Sequence, residues 1–487
     1  MTLNKKILAA AIVGGLFAAN AQAQVNLSAT NGAVPVTFAS EIVIPSAAPG
    51  TRTLTNAANA LDLAANLRYN FSENEVRFAR VECPSNIRFS AGSTVSLGAG
   101  TGVAGDLTGA TVGAINGLGT SVITFSITSG TGLLKSVNTL TVGGNRAISS
   151  TAAGACSYSL YDTPSQAAAG GEAGRITTIS GNYITFAQSY GLALLAANGA
   201  VANVEASPSF SRFTNAAPTN SVDRANLGQI IFDTRANVSA AQGGSATQPR
   251  LETGVAATLA DLLDGDSTHT IAGDFSAAAN ANGSFTGAAL SRVYFSANAN
   301  CSTVDVPANA VTATSARFDT GPAAVGANLC YAPRTGVAIP VSSYAQTFNA
   351  VSADDALYAT PSVGPVSLGQ ITRNGTSLQA QFAQVPAGWI SRIVLTNTGS
   401  LARPYTITAQ TEDGTTATLG TAAAGSIPAN GTIVLNTADI VSFAGNPRGT
   451  LNVTVAGPNN DIQGLYQIVN GVTGSIANTA LVRPGTN

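Results

Sequence analysis

Short runs of alternating apolar and polar residues, separated by Gly, Asn and Pro, recur along most of this chain. In Tyr405-Thr-Ile-Thr-Ala-Gln410 the apolar residues fall on every second position, and Ser121 to Thr128 alternates in the same way. Successive side chains of a strand point to opposite faces of its sheet, so a period of two indicates a strand with one buried face. The pattern therefore predicts an all-β protein.

The densest set of such runs lies near the C-terminus. Asp413-Gly414 and Asn470-Gly471 each supply residues suited to a tight hairpin turn. About seven short strands within roughly a hundred residues are typical of an immunoglobulin-like β-sandwich, and we expect one over residues 376–487. The predicted strands there include 389–397, 405–410, 432–435, 451–456, 461–469 and 475–482.

The first 23 residues have the organisation of a secretory signal peptide. Two lysines precede an apolar run from Ile7 to Ala19, and Ala21-Gln-Ala23 fits the small-x-small cleavage rule. The apolar run is too short to span a membrane comfortably. We therefore expect export to the cell surface or beyond, with a mature chain that begins at Gln24.

Segments rich in Pro, Ser and Asn interrupt the rest of the chain. Residues 208–220 contain two prolines and little apolar pattern, and residues 352–365 contain two more prolines. Such segments are typical of linkers between domains. We therefore predict tandem β-sandwich-like domains at 24–207 and 221–365, followed by the sandwich at 376–487. Long loops rich in Gly, Ala and Thr, such as 92–120, complete the prediction.

Two local features depart from the strand pattern. Val255, Leu259 and Leu262 recur at helical spacing, and Gly265 follows as a stop signal, so we expect a helix over 255–263. The tetrapeptide Leu-Gly-Gln-Ile occurs twice, at 227–230 and 368–371. If it is an internal repeat, each copy would lie in the first strand of a related domain. In a sequence of low complexity, chance explains four identical residues better than a repeat does.

The composition limits the classes of partner. Only 9% of the residues are charged and the formal net charge is −2, whereas ordinary soluble domains carry roughly a quarter of charged residues. Such a surface attracts neither nucleic acid nor anionic lipid strongly. Weak self-repulsion also permits close association of copies, although many secreted β-proteins without assembly have the same composition.

Four cysteines in an exported chain favour disulfides over metal ligands, since no CxxC or Cys/His cluster is present. Three pairings are possible. We predict Cys83 with Cys156 and Cys301 with Cys330, because each of these pairs stays inside one predicted domain. Each bridge would stabilise its domain by roughly 3–4 kcal/mol in the chain-entropy model.

The sequence offers little material for catalysis or metal binding. The single histidine, His269, lies in a polar segment where we expect it to be solvated, and it has no second histidine with which to share a metal. Asp261, Asp264 and Asp266 match no calcium-loop spacing and are expected to be turn residues facing water. Trp389 fits a core or rim position better than a sugar platform. Without a nucleophile elbow, zinc helix or phosphate loop, we predict no enzymatic activity, cofactor or metal.

The C-terminal module carries a characteristic set of residues: Arg392-Ile393, Leu395, Asn397, Gly399, Tyr405, Ile407, Ala409, Asp413-Gly414 and Ile427-Pro-Ala-Asn-Gly431. In these residues it resembles modules that end surface proteins of Gram-negative bacteria. The composition of the whole chain, rich in Ala, Gly, Thr and Asn and poor in Lys, is similar to that of S-layer proteins. The resemblance implies an exported structural protein, although no wall-binding repeat or calcium nonapeptide is present.

Two functions follow as hypotheses. The first is a structural protein that self-assembles into an extracellular layer, with other copies of itself as partners and outer-membrane glycolipid or surface glycans as further candidates. The second is a secreted adhesin or carbohydrate-binding protein. In that case aromatic residues in loops at the sandwich ends, such as Tyr294, Tyr331 and Tyr344, would bind the glycan.

Overall fold

Strands make up 46% of the protein and helices 9%, which confirms the all-β prediction. The computed structural model describes residues 24–484 except 48–49, 205, 209, 215–222, 320–324, 386 and 413–415. The predicted signal peptide at 1–23, part of the predicted linker at 208–220 and the predicted turn at Asp413-Gly414 lie outside the described residues. None of the described helices has the length and apolar character needed to cross a bilayer.

The first group of strands forms three sheets. Their orders are β1-β4-β10-β7, β3-β11-β6 and β2-β13-β12-β5-β9-β8. The strands are β1 (Val25–Asn26), β2 (Val36–Ala39), β3 (Arg52–Leu54), β4 (Leu63–Asn66), β5 (Val76–Glu82), β6 (Ile87–Phe89), β7 (Thr94–Gly98), β8 (Thr111–Val112), β9 (Val122–Thr128), β10 (Thr139–Gly143), β11 (Arg146–Ile148), β12 (Gly154–Tyr161) and β13 (Arg175–Ala187).

The second group forms two larger sheets, with orders β14-β16-β22-β18-β19 and β15-β24-β23-β17-β21-β20. Its strands are β14 (Tyr190–Ala197), β15 (Ala200–Ala202), β16 (Ala225–Thr234), β17 (Thr268–Ala272), β18 (Val293–Ser296), β19 (Val306–Pro307), β20 (Ala310–Val311), β21 (Ser315–Phe318), β22 (Val325–Tyr331), β23 (Ser342–Asn349) and β24 (Val363–Arg373).

The third group forms two antiparallel four-stranded sheets and a short pair. The orders are β25-β32-β27-β29, β30-β26-β33-β34 and β28-β31. The strands are β25 (Thr376–Gln384), β26 (Trp389–Asn397), β27 (Arg403–Thr411), β28 (Ala417–Leu419), β29 (Ala424–Ile427), β30 (Gly431–Asn436), β31 (Val441–Phe443), β32 (Arg448–Val455), β33 (Ile462–Asn470) and β34 (Ile476–Ala480).

Strand pairing and burial divide the chain differently from the linker pattern. β14 and β15 lie inside the predicted range 24–207, yet they pair with β16 and β24 of the second group. One continuous buried core extends from Val25 to Ile371. A boundary between 207 and 221 would therefore separate strands that are hydrogen-bonded to each other. The range 221–365 likewise ends inside β24, and the division of this shared core into two domains stays a prediction.

The third group has its own core. Leu378, Ile393, Ile407 and Val453 come from strands of both four-stranded sheets, and they are at most 2% exposed within one cluster. Apolar residues that alternate on facing strands thus enclose a sandwich over roughly the predicted range. Its relation to the immunoglobulin fold stays a prediction.

Helices are few and short, and the predicted helix at 255–263 is only partly present. Helix α3 covers Leu259–Leu262, and Val255 is 53% exposed outside it. Thr258 caps the helix by accepting a hydrogen bond from the Asp261 backbone amide, which fixes a later start than the apolar spacing suggests. The other helices are α1 (Pro164–Ala169), α2 (Arg235–Ala241) and α4 (Thr437–Ile440), with 3₁₀ turns at Ala57–Asn59, Ala104–Leu107, Ser276–Ala278, Gly287–Arg292 and Thr421–Ala423.

The two Leu-Gly-Gln-Ile segments do not open successive domains. They lie in β16 and β24, which pack against each other within the second group. A Cβ atom added at Gly228 would lie 3.7 Å from Cδ2 of Leu368, and one added at Gly369 would lie 2.6 Å from the carbonyl oxygen of Leu227. Gly369 therefore permits the close approach of the two copies, whereas the contact at Gly228 is an ordinary van der Waals distance.

Candidate functional site: the outer face of the C-terminal sandwich

His269 is buried, which corrects the expectation of a solvated histidine. It lies in β17 with no exposed surface, and its ring packs 4.9 Å from Phe348 and 5.2 Å from Phe232 between ring centroids. Its Nδ1 is 2.8 Å from Nε2 of Gln346, while Nε2 of the imidazole has no partner among the described residues. Burial lowers the pKa of His269 to about 4, so the ring is neutral and structural at neutral pH.

The three residues of the acidic cluster are exposed, as expected, but Asp261 lies inside helix α3 rather than in the turn after it. The Asp261 carboxylate accepts hydrogen bonds from the backbone and hydroxyl of Thr258, and the Asp264 carboxylate accepts one from the backbone of Asp266. Across the described residues, no group of three or more His, Cys, Asp or Glu side chains is placed to hold a metal ion.

The tyrosines that the sequence suggested for glycan binding are buried. Tyr294, Tyr331 and Tyr344 lie in strands rather than loops and are at most 2% exposed. The Tyr294 hydroxyl donates to the Cys301 carbonyl, and burial raises the pKa of Tyr331 and of Tyr344. These side chains are core residues and present no surface to a sugar. Trp389 is 42% exposed at the start of β26, a rim position.

Both cysteine pairs favoured by the sequence are bonded in the structure. Cys83 joins Cys156 across β5 and β12, and Cys301 joins Cys330 beside Tyr294. Each bridge lies within one group of strands. Because the sequence contains four cysteines, no thiol is left free.

A candidate interaction surface is the solvent side of sheet β30-β26-β33-β34, which we call the outer face. Directly opposed residues of an antiparallel pair point to the same side, so the register assigns its members. It consists of four cross-strand rows: Thr432, Thr396 and Gln463; Val434, Val394, Leu465 and Ala480; Asn436, Arg392, Gln467 and Asn478; Ile390, Val469 and Ile476.

Two of these rows are apolar although they face solvent. Val434 is 54% exposed, Ile390 45% and Ile476 59%. Arg392 is the one charged residue of the outer face, and amide and hydroxyl groups fill the remaining positions. Among them, the hydroxyls of Thr396 and Thr432 are 3.0 Å apart, and Gln467 donates to Asn478 over 2.9 Å. Exposed, charge-poor apolar patches of this kind mark interaction surfaces.

Among the residues that the structure describes, the outer face ends at an edge strand without a second partner. β34 pairs with β33 on one side only, and all five of its residues are exposed. After Ala480 the chain leaves the sheet, and Val482 exchanges hydrogen bonds with Gln379 of β25 in the opposite sheet. The edge carries no Lys, Glu, Pro or bulge, the features by which natural proteins block edge pairing.

Sequence reasoning missed the outer face because Ile393-Val-Leu395 reads as a buried run. The sequence did contain one signal for this face, because the alternation is lost at Ile393-Val-Leu395. Apolar residues on both faces of β26 indicate that both faces are buried by contacts. Buried charged residues, among them Glu41 and Arg146, were missed as well. Burial is a tertiary property, and no local pattern distinguishes them from exposed residues.

A β-rich chain with a charge-poor outer face is typical of cell-surface proteins. A family model described as S-layer protein Slr4 matches residues 76–470. The chain therefore belongs to the Slr4 family of S-layer proteins, and the predicted S-layer resemblance and surface localisation are confirmed. No curated protein matches its sequence.

Similarity to solved structures is low. A putative membrane-anchored protein from Corynebacterium diphtheriae is 8% identical, with 91% of this chain and 88% of that chain covered and a TM-score of 0.18. The C-terminal domain of the Streptococcus agalactiae AgI/II polypeptide BspA is 7% identical, covers 89% and 99%, and has a TM-score of 0.15. The Escherichia coli adhesin FdeC is 10% identical, covers 83% and 95%, and has a TM-score of 0.14. With scores this low, no conclusion about this chain rests on them.

Proposed function

We propose that this surface protein is the subunit of an extracellular layer held together by contacts between copies of itself. The observation that carries the proposal is the outer face, with its two exposed apolar rows and single charge. In a monomer these rows would remain in water at a cost of roughly 25 cal/mol per Å² of apolar surface. Contact with another copy removes them from water, and the low net charge permits the approach.

The role is structural and needs no reaction. Family membership supports it, because the matched residues 76–470 include β26, β30 and β33 of the outer face. Contacts with outer-membrane glycolipid or surface glycans stay predictions of the sequence. The adhesin hypothesis rested on three tyrosines, and all three are buried: Tyr294, Tyr331 and Tyr344.

A matched pair of lysine substitutions tests the proposal. Val434 and Val255 are 54% and 53% exposed, but only Val434 belongs to the outer face. We expect Val434→Lys to reduce concentration-dependent assembly of the purified mature chain, measured by light scattering and sedimentation velocity. Val255→Lys should assemble like the wild type. If both variants are folded and assemble equally, the outer face does not contribute to assembly.

A further inference from the structure

Within the described part of the chain, the backbone of β34 is paired along one side only. In the hairpin, the Asn470 amide donates to the Ser475 carbonyl and the Leu481 amide donates to the Gly464 carbonyl. Hydrogen-bonded residues alternate along an antiparallel ladder, so residues 475, 477, 479 and 481 bond to β33. The amide and carbonyl groups of Ile476, Asn478 and Ala480 therefore point away from β33, toward the open side.

These three residues are spaced for a twofold partner. When two β34 strands run antiparallel with Asn478 opposite Asn478 of the second copy, Ile476 lies opposite Ala480 in both directions. All three outward-directed residues then meet their counterparts, which gives six hydrogen bonds between the copies. An interface in which the same patch meets itself is the symmetry of most homodimers.

The same register also matches the outer face. Ile476 ends one apolar row and Ala480 ends the other, so placing them side by side joins both rows across the dimer. The polar row continues through the two Asn478 side chains, and Arg392 stays three strands away from the axis. A register shifted by one residue would place outward-facing side chains opposite inward-facing ones, so the pleat opposes it.

We propose that β34 of one copy pairs with β34 of a second copy about a twofold axis at Asn478, forming a continuous eight-stranded sheet. This inference rests on the proposed layer function and names one of its contacts. A five-residue edge buries little area, so the pair is weak in isolation. In a layer, each copy has several neighbours, and simultaneous contacts make the same pair long-lived.

Cysteine cross-linking reads the register directly. The native cysteines are all in disulfides, so an introduced cysteine is the sole free thiol. Opposed residues in a hydrogen-bonded pair have Cα atoms about 5.5 Å apart, within the range that a disulfide bridges. We expect mild oxidation of the N478C mature chain to give a covalent dimer. T432C, on the far strand of the same face, is the control and should stay monomeric on non-reducing gels.

A mixing experiment tests the neighbouring pairs. I476C mixed with A480C should give the mixed dimer in clear excess over either homodimer, because these positions meet only each other in the proposed register. Equal cross-linking of N478C and T432C would show random collision and overturn the proposal. Cross-linking of I476C with a second copy of I476C would also overturn the proposal.

Proline at the axis separates this inference from the layer function. Asn478→Pro removes an amide that points away from β33, so the fold keeps its backbone bonds to β33 and loses only the exposed side-chain bond from Gln467, while both axial bonds of the dimer are lost. We expect dimerisation to weaken at least about tenfold. An ordered wild-type layer that Asn478→Pro leaves unchanged, without cross-linking of N478C, would overturn the edge pairing and leave the layer function standing. Cross-linking of N478C without any wild-type layer would support the edge pairing and contradict the layer function.

Discussion

The imidazole of His269 and the carboxamide of Gln346 meet 2.8 Å apart on neighbouring strands, enclosed by the rings of Phe232 and Phe348. Either orientation of the amide leaves Nε2 of the ring without a partner. A proton on this ring would put an unpaired charge into an apolar environment, which is costly. The neutral pair therefore keeps these strands rigid at neutral pH, and protonation of His269 in acid destabilises the fold.

Acid should destabilise the middle sheets through His269. Its folded-state pKa, about 4, lies below its unfolded value of 6.5, so its contribution is complete above pH 6.5 and is lost as the pH falls toward 4. The loss amounts to about 3 kcal/mol. Denaturant unfolding of the wild type and of His269→Gln at pH 7 and pH 4.5 measures it. The variant should lose much less stability over this interval, and parallel losses would show that His269 is not the cause.

Glu41 should act in the opposite direction. Burial raises the pKa of its carboxyl group, although Ser189 donates to both oxygens, from its amide over 2.8 Å and from its hydroxyl over 3.2 Å. A raised folded-state pKa favours the fold below the ordinary value of 4.5, and this contribution is lost as the pH rises through the folded-state pKa. Stability of Glu41→Gln relative to the wild type should therefore be greater at pH 7 than at pH 4. The same unfolding series gives the comparison, and a constant difference would contradict the assignment.

Replacing Arg146 should destabilise the fold even when the new residue is lysine. Its guanidinium has no exposed surface, donates to the carbonyls of Leu61, Val142 and Gly144 among others, and stacks 4.9 Å from the centroid of Phe89. The compact ammonium group of lysine cannot reproduce a planar fork of donors. We expect Arg146→Lys to lower the free energy of unfolding by at least about 2 kcal/mol.

The exposed Arg88, on the neighbouring strand β6, provides the control for that substitution. Arg88→Lys should change the unfolding midpoint little. Arg88 is exposed, so the charged group stays in water with either side chain. Comparable effects of the two variants would mean that burial of Arg146 contributes nothing.

The contact between the repeated tetrapeptides should not tolerate a methyl group. A Cβ at Gly369 would lie 1.6 Å from the Asn198 carbonyl oxygen and 2.6 Å from that of Leu227. Both obstacles are backbone atoms, so β24 would have to move away from β16 and from the turn between β14 and β15. We expect Gly369→Ala to cost roughly 1–3 kcal/mol, measured by thermal or denaturant unfolding. At Gly265 a Cβ meets nothing within 4 Å, so Gly265→Ala should be neutral, and an equal loss at both sites would refute the packing argument.

Fragments should separate according to strand pairing rather than linker composition. Residues 375–487 include the whole C-terminal core, and we expect them to unfold cooperatively on their own. Residues 24–207 end with β14 and β15, whose partners lie at 225–234 and 363–373. We expect that fragment to aggregate or remain partly unfolded. A cooperative, monomeric 24–207 fragment in calorimetry would support the linker-based boundary instead.

Local pattern predicted the strands well and their partners poorly. The alternation at 405–410 and 121–128 became β27 and β9, because a half-buried strand imposes period two on its own sequence. The place of β14 in a sheet with β16 and β22 depends on contacts distant in sequence, as does the burial of His269. The outer face follows only once register is known, because Val394, Leu465 and Ala480 become one surface through pairing.

Electron microscopy of the purified mature chain tests the central claim most directly. We expect the wild-type protein, concentrated without other components, to form ordered two-dimensional arrays whose repeat matches a layer on the cells that produce it. The surface rows and the free edge of the C-terminal sandwich provide the contacts for such an array. A protein that stays strictly monomeric at high concentration, from cells whose surface carries no ordered layer, would contradict the account.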